Sequence, residues 1–191
     1  MTNQSLIRDI KLGVTTGDYK VTIDTNRLPG YFYYFFNKKR RIVKNLLDRG
    51  IILTGSRALN CYKLNGKPLL NREPNDWDFV ISKDQFLEIC RDYKIYDFDL
   101  NKTQYLLNRA FATFSDGYSG PDSHWFPCFI QLIIKDELKP STQLENGWKI
   151  ATLESIIESK MELANPIFVN QRVDPKHQHD LNNIIVNTHS L

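Results

Sequence analysis

Two stretches decide the fold: Ile51-Ile52-Leu53-Thr54-Gly55-Ser56-Arg57-Ala58-Leu59, and Asn75-Asp76-Trp77-Asp78-Phe79-Val80-Ile81. In the first, Ile51 to Thr54 reads as an apolar strand of the kind buried within a sheet. It runs straight into Gly55, where the backbone can turn sharply and approach a ligand closely. Ser56 then opens a helix whose first N–H groups attract phosphate, and its hydroxyl adds one more donor. The second stretch alternates as a strand. Residues two apart share a face, so Asp76 and Asp78 project together while Trp77, Phe79 and Ile81 point the other way.

Two carboxylates side by side repel each other in a half-buried strand. A divalent cation removes that cost, and carboxylate oxygens are the hard ligands that Mg²⁺ takes, commonly alongside substrate phosphates. Such an ion can activate an attacking hydroxyl and neutralise a leaving pyrophosphate. Taken alone, a D-x-D is a short, common pattern of solvated residues at a strand's exposed start. Taken alone, Gly-Ser is an ordinary strand-to-helix turn. The two together describe a phosphate cradle and a metal-binding pair on neighbouring strands.

Thr54-Gly55-Ser56-Arg57-Ala58-Leu59 followed by Asn75-Asp76-Trp77-Asp78-Phe79-Val80-Ile81 resembles the DNA polymerase β-like nucleotidyltransferase superfamily, as a small, minimal member. The resemblance implies an α/β (α+β) fold with a mixed β-sheet flanked by helices and closed by C-terminal helices. It implies transfer of a nucleoside monophosphate from a nucleoside triphosphate, ATP among them, to an acceptor hydroxyl, with release of pyrophosphate. It carries Gly55 and Ser56 onto triphosphate binding, and Asp76 and Asp78 onto catalysis and onto Mg²⁺ (or Mn²⁺). The spacing between Ser56 and Asp76 is longer than the pattern usually has, and Lys63 to Pro74 looks like an insertion. Toward the C-terminus, a lysine-bearing helix over Leu153 to Ala164 and the run His179-Asp180-Leu181-Asn182-Asn183-Ile184 resemble the closing helices of small nucleotidyltransferases. Asp180 matches that pattern; His179 and Asn183 depart from it.

The superfamily usually carries a third carboxylate on a later strand. The hydrophobic run Phe129-Ile130-Gln131-Leu132-Ile133-Ile134 places Gln131 there, a degenerate third position. A glutamine is neutral and cannot act as a general base. Three explanations stand side by side. Asp116, Asp122 or Asp136 fills the role from nearby; two aspartates suffice with substrate-assisted deprotonation; or the domain keeps the fold as a catalytically inactive binding module for nucleotide, RNA or a protein partner.

Around these motifs the chain reads as follows. Residues 1–30 form an N-terminal extension, with Tyr19 to Ile23 a short strand, and 31–191 form the nucleotidyltransferase-like domain. A helix spans about 31–49 and ends at Gly50, which suits a C′ cap. Residues 64–75 read as a loop punctuated by Gly66, Pro68 and Pro74, and Ser82 with Gln85 fits a capping box ahead of a helix. Residues 108–115 and 126–135 read as strands joined by the turn-rich 116–121, and helices over about 152–165 and 177–188 close the chain.

Several basic residues are candidates for the triphosphate or for an acidic acceptor. Arg57 is the best placed of Arg57, Lys63, Lys67 and Arg72, which lie between the motifs. Lys160 falls in the middle of the apolar stripe of its helix. It needs Asp180, a nucleotide phosphate, or a snorkelling route to solvent. Lys38, Lys39, Arg40, Arg41 and Lys44 beside the aromatic run 31–36 would suit single-stranded nucleic acid, although an amphipathic helix with aromatics in the core and a solvated basic face is the better account at so modest a net charge. His177 and His179 have no metal-ligand companions at useful spacing.

Composition bounds the function classes. Hydrophobic residues at 41% and charged residues at 25% describe an ordinary soluble globular chain, and a net charge of +3 neither demands nor excludes nucleic acid. The expected partners are a nucleoside triphosphate and an acceptor that is an RNA, a protein or a small molecule. No run approaches a membrane span and none resembles a signal peptide. Cys61, Cys90 and Cys128 are odd in number and lack metal spacing, which reads as core thiols in a cytoplasmic, reducing setting.

Overall fold

The computed structural model describes residues 21–28, 38–74, 76–93, 96, 98, 104–108, 113–115, 130–165 and 175–189. Along the chain the elements run β1 (Val21–Ile23), a 3-10 turn (Thr25–Arg27), α1 (Lys38–Asp48), β2 (Ile52–Thr54), α2 (Gly55–Leu59), β3 (Tyr62–Leu64) and β4 (Lys67–Pro68). Then follow β5 (Trp77–Ile81), α3 (Lys83–Asp92), β6 (Gln104–Asn108), β7 (Thr113–Ser115), β8 (Ile130–Ile134), β9 (Ser141–Gln143), β10 (Lys149–Ala151), α4 (Leu153–Ala164) and α5 (Pro175–His189). The class is mixed α/β, as the strand and helix order predicts. These elements belong to two compact units, one holding 38–57 and 74–151 and the other holding 21–28, 58–73 and 152–189.

The first unit carries a seven-stranded mixed sheet in the order β7-β6-β8-β5-β2-β10-β9. β5 runs parallel to β8 and β2 parallel to β10; the other neighbours are antiparallel. Sheet order explains why β2 is buried throughout: it is central, flanked by β5 and β10. Leu132, Phe79, Leu53 and Ile150 line up across four strands, and all four are 0% exposed. Burying each such side chain is worth roughly 1.5–3 kcal/mol, so this row anchors the sheet. Trp77, Phe79 and Ile81 share that buried face, as the alternation predicts.

Helix α1 buries Ile42, Val43, Leu46 and Leu47. It ends as the predicted cap requires: Gly50 N–H donates to Leu47 O and Ile51 N–H to Leu46 O, the paired bonds of a Schellman motif. Helix α3 opens with the predicted capping box, Gln85 N–H donating to Ser82 Oγ and Ser82 N–H to Gln85 Oε1. The helix predicted from residue 31 is described from Lys38 onward; the aromatic run 31–36 and the side chains of 38–41 lie outside the described residues.

The second unit holds the antiparallel sheet β1-β3-β4 and the helices α4 and α5. Part of the predicted loop at 64–75 is instead a hairpin, in which Leu64 pairs with Lys67. Its two-residue turn, Asn65-Gly66, has φ of 49° and 80°, the doubly positive pattern of the tight hairpin turn. Pro68 is tolerated because β4 is an edge strand. The predicted strand 108–115 is also corrected: Asn108 closes β6, Thr113 opens β7, and the two pair antiparallel. The turn-rich 116–121 lies outside the described residues. Both closing helices stand where predicted, α4 capped by Thr152 Oγ1 accepting from Ser155 N–H. Among the described residues, no helix is long and apolar enough to cross a membrane.

Candidate active site

Strand β2 delivers Thr54 opposite Asp78 of β5, and the next residue is Gly55. Gly55 has φ +66°, and a β-carbon built on it would stand 2.0 Å from Asp78 Oδ2, 2.9 Å from Cγ and 3.0 Å from Cβ. The Asp78 carboxylate therefore lies directly against the turn, in space that only a glycine leaves open. Its Oδ1 is sealed from solvent, while the residue as a whole is half-buried. Asp76 stands one residue ahead of β5 and is also half-buried, whereas Trp77 between them is buried.

On the other side of β5, the parallel register sets Gln131 beside Asp78. Paired residues share a face, so Gln131, Asp78 and Thr54 form a polar row across three strands, on the face opposite the buried apolar row. Of the acidic residues weighed for the third position, Asp136 is exposed, and its place five residues past Gln131 is roughly 16 Å along an extended chain. Asp116 and Asp122 lie outside the described residues.

Ser56 is buried in the first turn of α2. Arg57, 9% exposed, sets its guanidinium carbon 4.6 Å from the centroid of the Trp77 ring and donates from Nη2 to the Pro74 carbonyl. The stack on Trp77 was not legible beforehand. A tryptophan between two aspartates reads as core, and nothing local ties it to an arginine twenty residues earlier.

Lys160 belongs to the second unit, where its Nζ donates to Asp180 Oδ2 at 2.7 Å. Arg72 grips the same carboxylate with both prongs, Nε to Oδ1 at 3.0 Å and Nη2 to Oδ2 at 2.8 Å. Burial raises the Asp180 pKa, but the Arg72 hydrogen bond and the Lys160 charge outweigh it and hold the carboxyl below its ordinary range. Of the partners weighed for Lys160, Asp180 is the one seen. Arg72, one of the basic residues between the motifs, has its carboxylate partner 108 positions away, beyond any local pattern. Lys63 pairs with Asp24 at 2.7 Å.

The candidate cation donors of the first unit are the carboxylates of Asp78 and of Asp76, two residues earlier in the chain, and the amide of Gln131 in register with Asp78. They suit a hard divalent cation such as Mg²⁺ or Mn²⁺, and Gly55 leaves the Asp78 carboxylate room at the turn. Among the described residues, no group of three or more His, Cys, Asp or Glu side chains is placed to hold a metal ion. The first unit thus offers two carboxylates, a neutral amide and a glycine turn with a buried hydroxyl. Comparison with family models, with curated proteins and with solved structures finds no match for this chain.

Proposed function

We propose that this chain is a metal-dependent nucleotidyltransferase that moves a nucleoside monophosphate from a nucleoside triphosphate to an acceptor hydroxyl and releases pyrophosphate. The observation that carries the reading is the contact of the Asp78 carboxylate with the Gly55 turn. It sets an acidic group directly beside backbone that can receive phosphate.

On this reading the Gly55-Ser56 backbone and the Ser56 hydroxyl bind the β- and γ-phosphates. Asp76 and Asp78 would hold Mg²⁺ or Mn²⁺, which when bound supplies positive charge against the triphosphate and lowers the barrier to hydroxyl attack. The acceptor oxygen bonds to the α-phosphorus in line as the bond to pyrophosphate breaks. Gln131 takes no proton, so the hydroxyl proton leaves to a carboxylate of the pair or to a substrate phosphate. The acceptor is an RNA end, a protein side chain or a small molecule. The two described cysteines, Cys61 and Cys90, are buried free thiols, which supports a cytoplasmic setting.

A second reading is favoured by the neutral Gln131 in register with Asp78: a nucleotidyltransferase-like domain that binds nucleotide, RNA or a protein without turnover. Incubation with α-labelled triphosphates, Mg²⁺ or Mn²⁺ and cell extract separates the two. Label transfer that disappears in Asp76→Ala/Asp78→Ala supports the enzyme. Triphosphate binding without transfer supports the binding module.

A further inference from the structure

We infer that Arg57 is a positioning residue, whose stack on Trp77 and hydrogen bond to Pro74 aim the Asp76 and Asp78 carboxylates. The inference rests on the reading of that pair as a cation site. Its starting point is strand alternation. Trp77 lies between the two aspartates, so whichever face Trp77 takes, Asp78 takes the other. A one-residue slip of β5 would turn the carboxylate into the apolar row and the indole out of it. Whatever fixes Trp77 therefore fixes the acids.

Arg57 holds this part of the chain at two points. Its guanidinium lies 4.6 Å from the Trp77 ring centroid, and Nη2 donates to the carbonyl of Pro74, three residues earlier. Both contacts are shielded, since Arg57 is 9% exposed and its Nε is sealed from solvent. A planar guanidinium suits this double duty: its face covers an aromatic ring while its edge donates in plane.

The same short helix reaches both faces of β5. Gly55 meets Asp78, and Arg57, two residues later, meets Trp77, which points the opposite way. The start of β5 is thus gripped on both sides by α2. A guanidinium occupied in this manner acts on the cation site through Trp77 rather than by touching phosphate.

The test is Mn²⁺ binding to the nucleotide-free full chain, read by the electron paramagnetic resonance signal of free Mn²⁺. Arg57→Met is expected to weaken Mn²⁺ binding by about tenfold, the scale on which groups that orient metal ligands act. Trp77→Leu is expected to do the same, and the double variant to be little worse than either single one. Arg57→Lys keeps the charge but loses the planar stack, and is expected to weaken Mn²⁺ binding by less than Arg57→Met. Should Arg57→Met fail to unfold cooperatively, Arg57→Lys decides. Deciding variants with the parent's Mn²⁺ affinity overturn the inference, and weaker triphosphate binding at unchanged Mn²⁺ affinity overturns it in favour of a direct phosphate contact. Asp78→Asn separates the two levels. A parent that binds no Mn²⁺, or an Asp78→Asn chain that binds it equally well, overturns the cation site and this inference together. Loss in Asp78→Asn with none in the Arg57 variants overturns the inference alone.

Discussion

The Asp78 carboxylate fills the space where a β-carbon on residue 55 would stand, 2.0 Å from Oδ2. A strand and a turn distant in sequence are thereby fitted to each other at atomic range. The register Thr54↔Asp78 makes this happen, because the turn begins one residue past the pairing.

Gly55→Ala is expected to be destabilising for two separable reasons. The left-handed φ of +66° costs an L-residue about 1–2 kcal/mol, and the clash with Asp78 adds to it. Gly66, at φ +80° with open space around its Cα, isolates the first cost. Gly55→Ala should therefore lower the melting temperature more than Gly66→Ala, by roughly 2–4 °C for each additional kcal/mol. Combining Gly55→Ala with Asp78→Ala should return the carboxylate's part of the clash as a coupling energy, leaving the 3.0 Å approach to the residue 78 β-carbon. Equal costs of Gly55→Ala in the parent and Asp78→Ala backgrounds would show that the carboxylate does not demand the glycine.

Asp180→Asn leaves the buried Lys160 and the partly buried Arg72 facing a neutral amide. Loss of one partner from a buried ionic cluster costs about 3–5 kcal/mol, and urea unfolding should show it. The pH dependence follows from the depressed carboxyl. Unfolded, this aspartate takes its proton near pH 3.9; folded, it does so lower. Its contribution is fully present above the unfolded value and is lost as pH falls through the folded one. The parent should thus lose stability more steeply than Asp180→Asn below about pH 4. Parallel acid limbs for the two proteins would contradict the assignment.

Legibility in the sequence followed the range of the interaction. The strand Trp77–Ile81, the Ser82/Gln85 cap and the Gly50 termination are local patterns, and each reappears in the fold. Asn65-Gly66 is a local hairpin signal, yet the stretch reads as a loop because Gly66, Pro68 and Pro74 punctuate it. A proline survives there only because β4 lies at an edge, and edge position is a tertiary fact. Alternation singled out Gln131 as the polar member of its run; that it stands beside Asp78 depends on the parallel pairing of β8 with β5. Arg57 on Trp77 and Arg72 on Asp180 are side-chain contacts made by packing, with no spacing rule to announce them.

Burial pushes the Cys90 thiol up to about 11, and Cys61 is likewise enclosed. The thiolate is the reactive form, so at pH 8 both should resist alkylation in the native protein. Brief iodoacetamide treatment followed by peptide mass spectrometry should find Cys61 and Cys90 unmodified when folded and modified in urea. Equal labelling of Cys90 in both states would rule out the enclosed site.

Gln131→Glu tests what the polar row does with charge. A third carboxylate would stand in register with Asp78 on the neighbouring strand. Without a cation, like charges on neighbouring strands destabilise a sheet, so in EDTA the variant should melt below the parent. With Mn²⁺ the sign reverses, because an added anionic ligand tightens the site and ligand binding stabilises the folded state in proportion to ln(1 + [L]/Kd). The rise in melting temperature on adding Mn²⁺ should therefore be larger in Gln131→Glu than in the parent, and absent when Asp78→Asn is combined with it. A variant that melts lower in EDTA and gains nothing from Mn²⁺ would mean that the row gathers charge without gathering a cation.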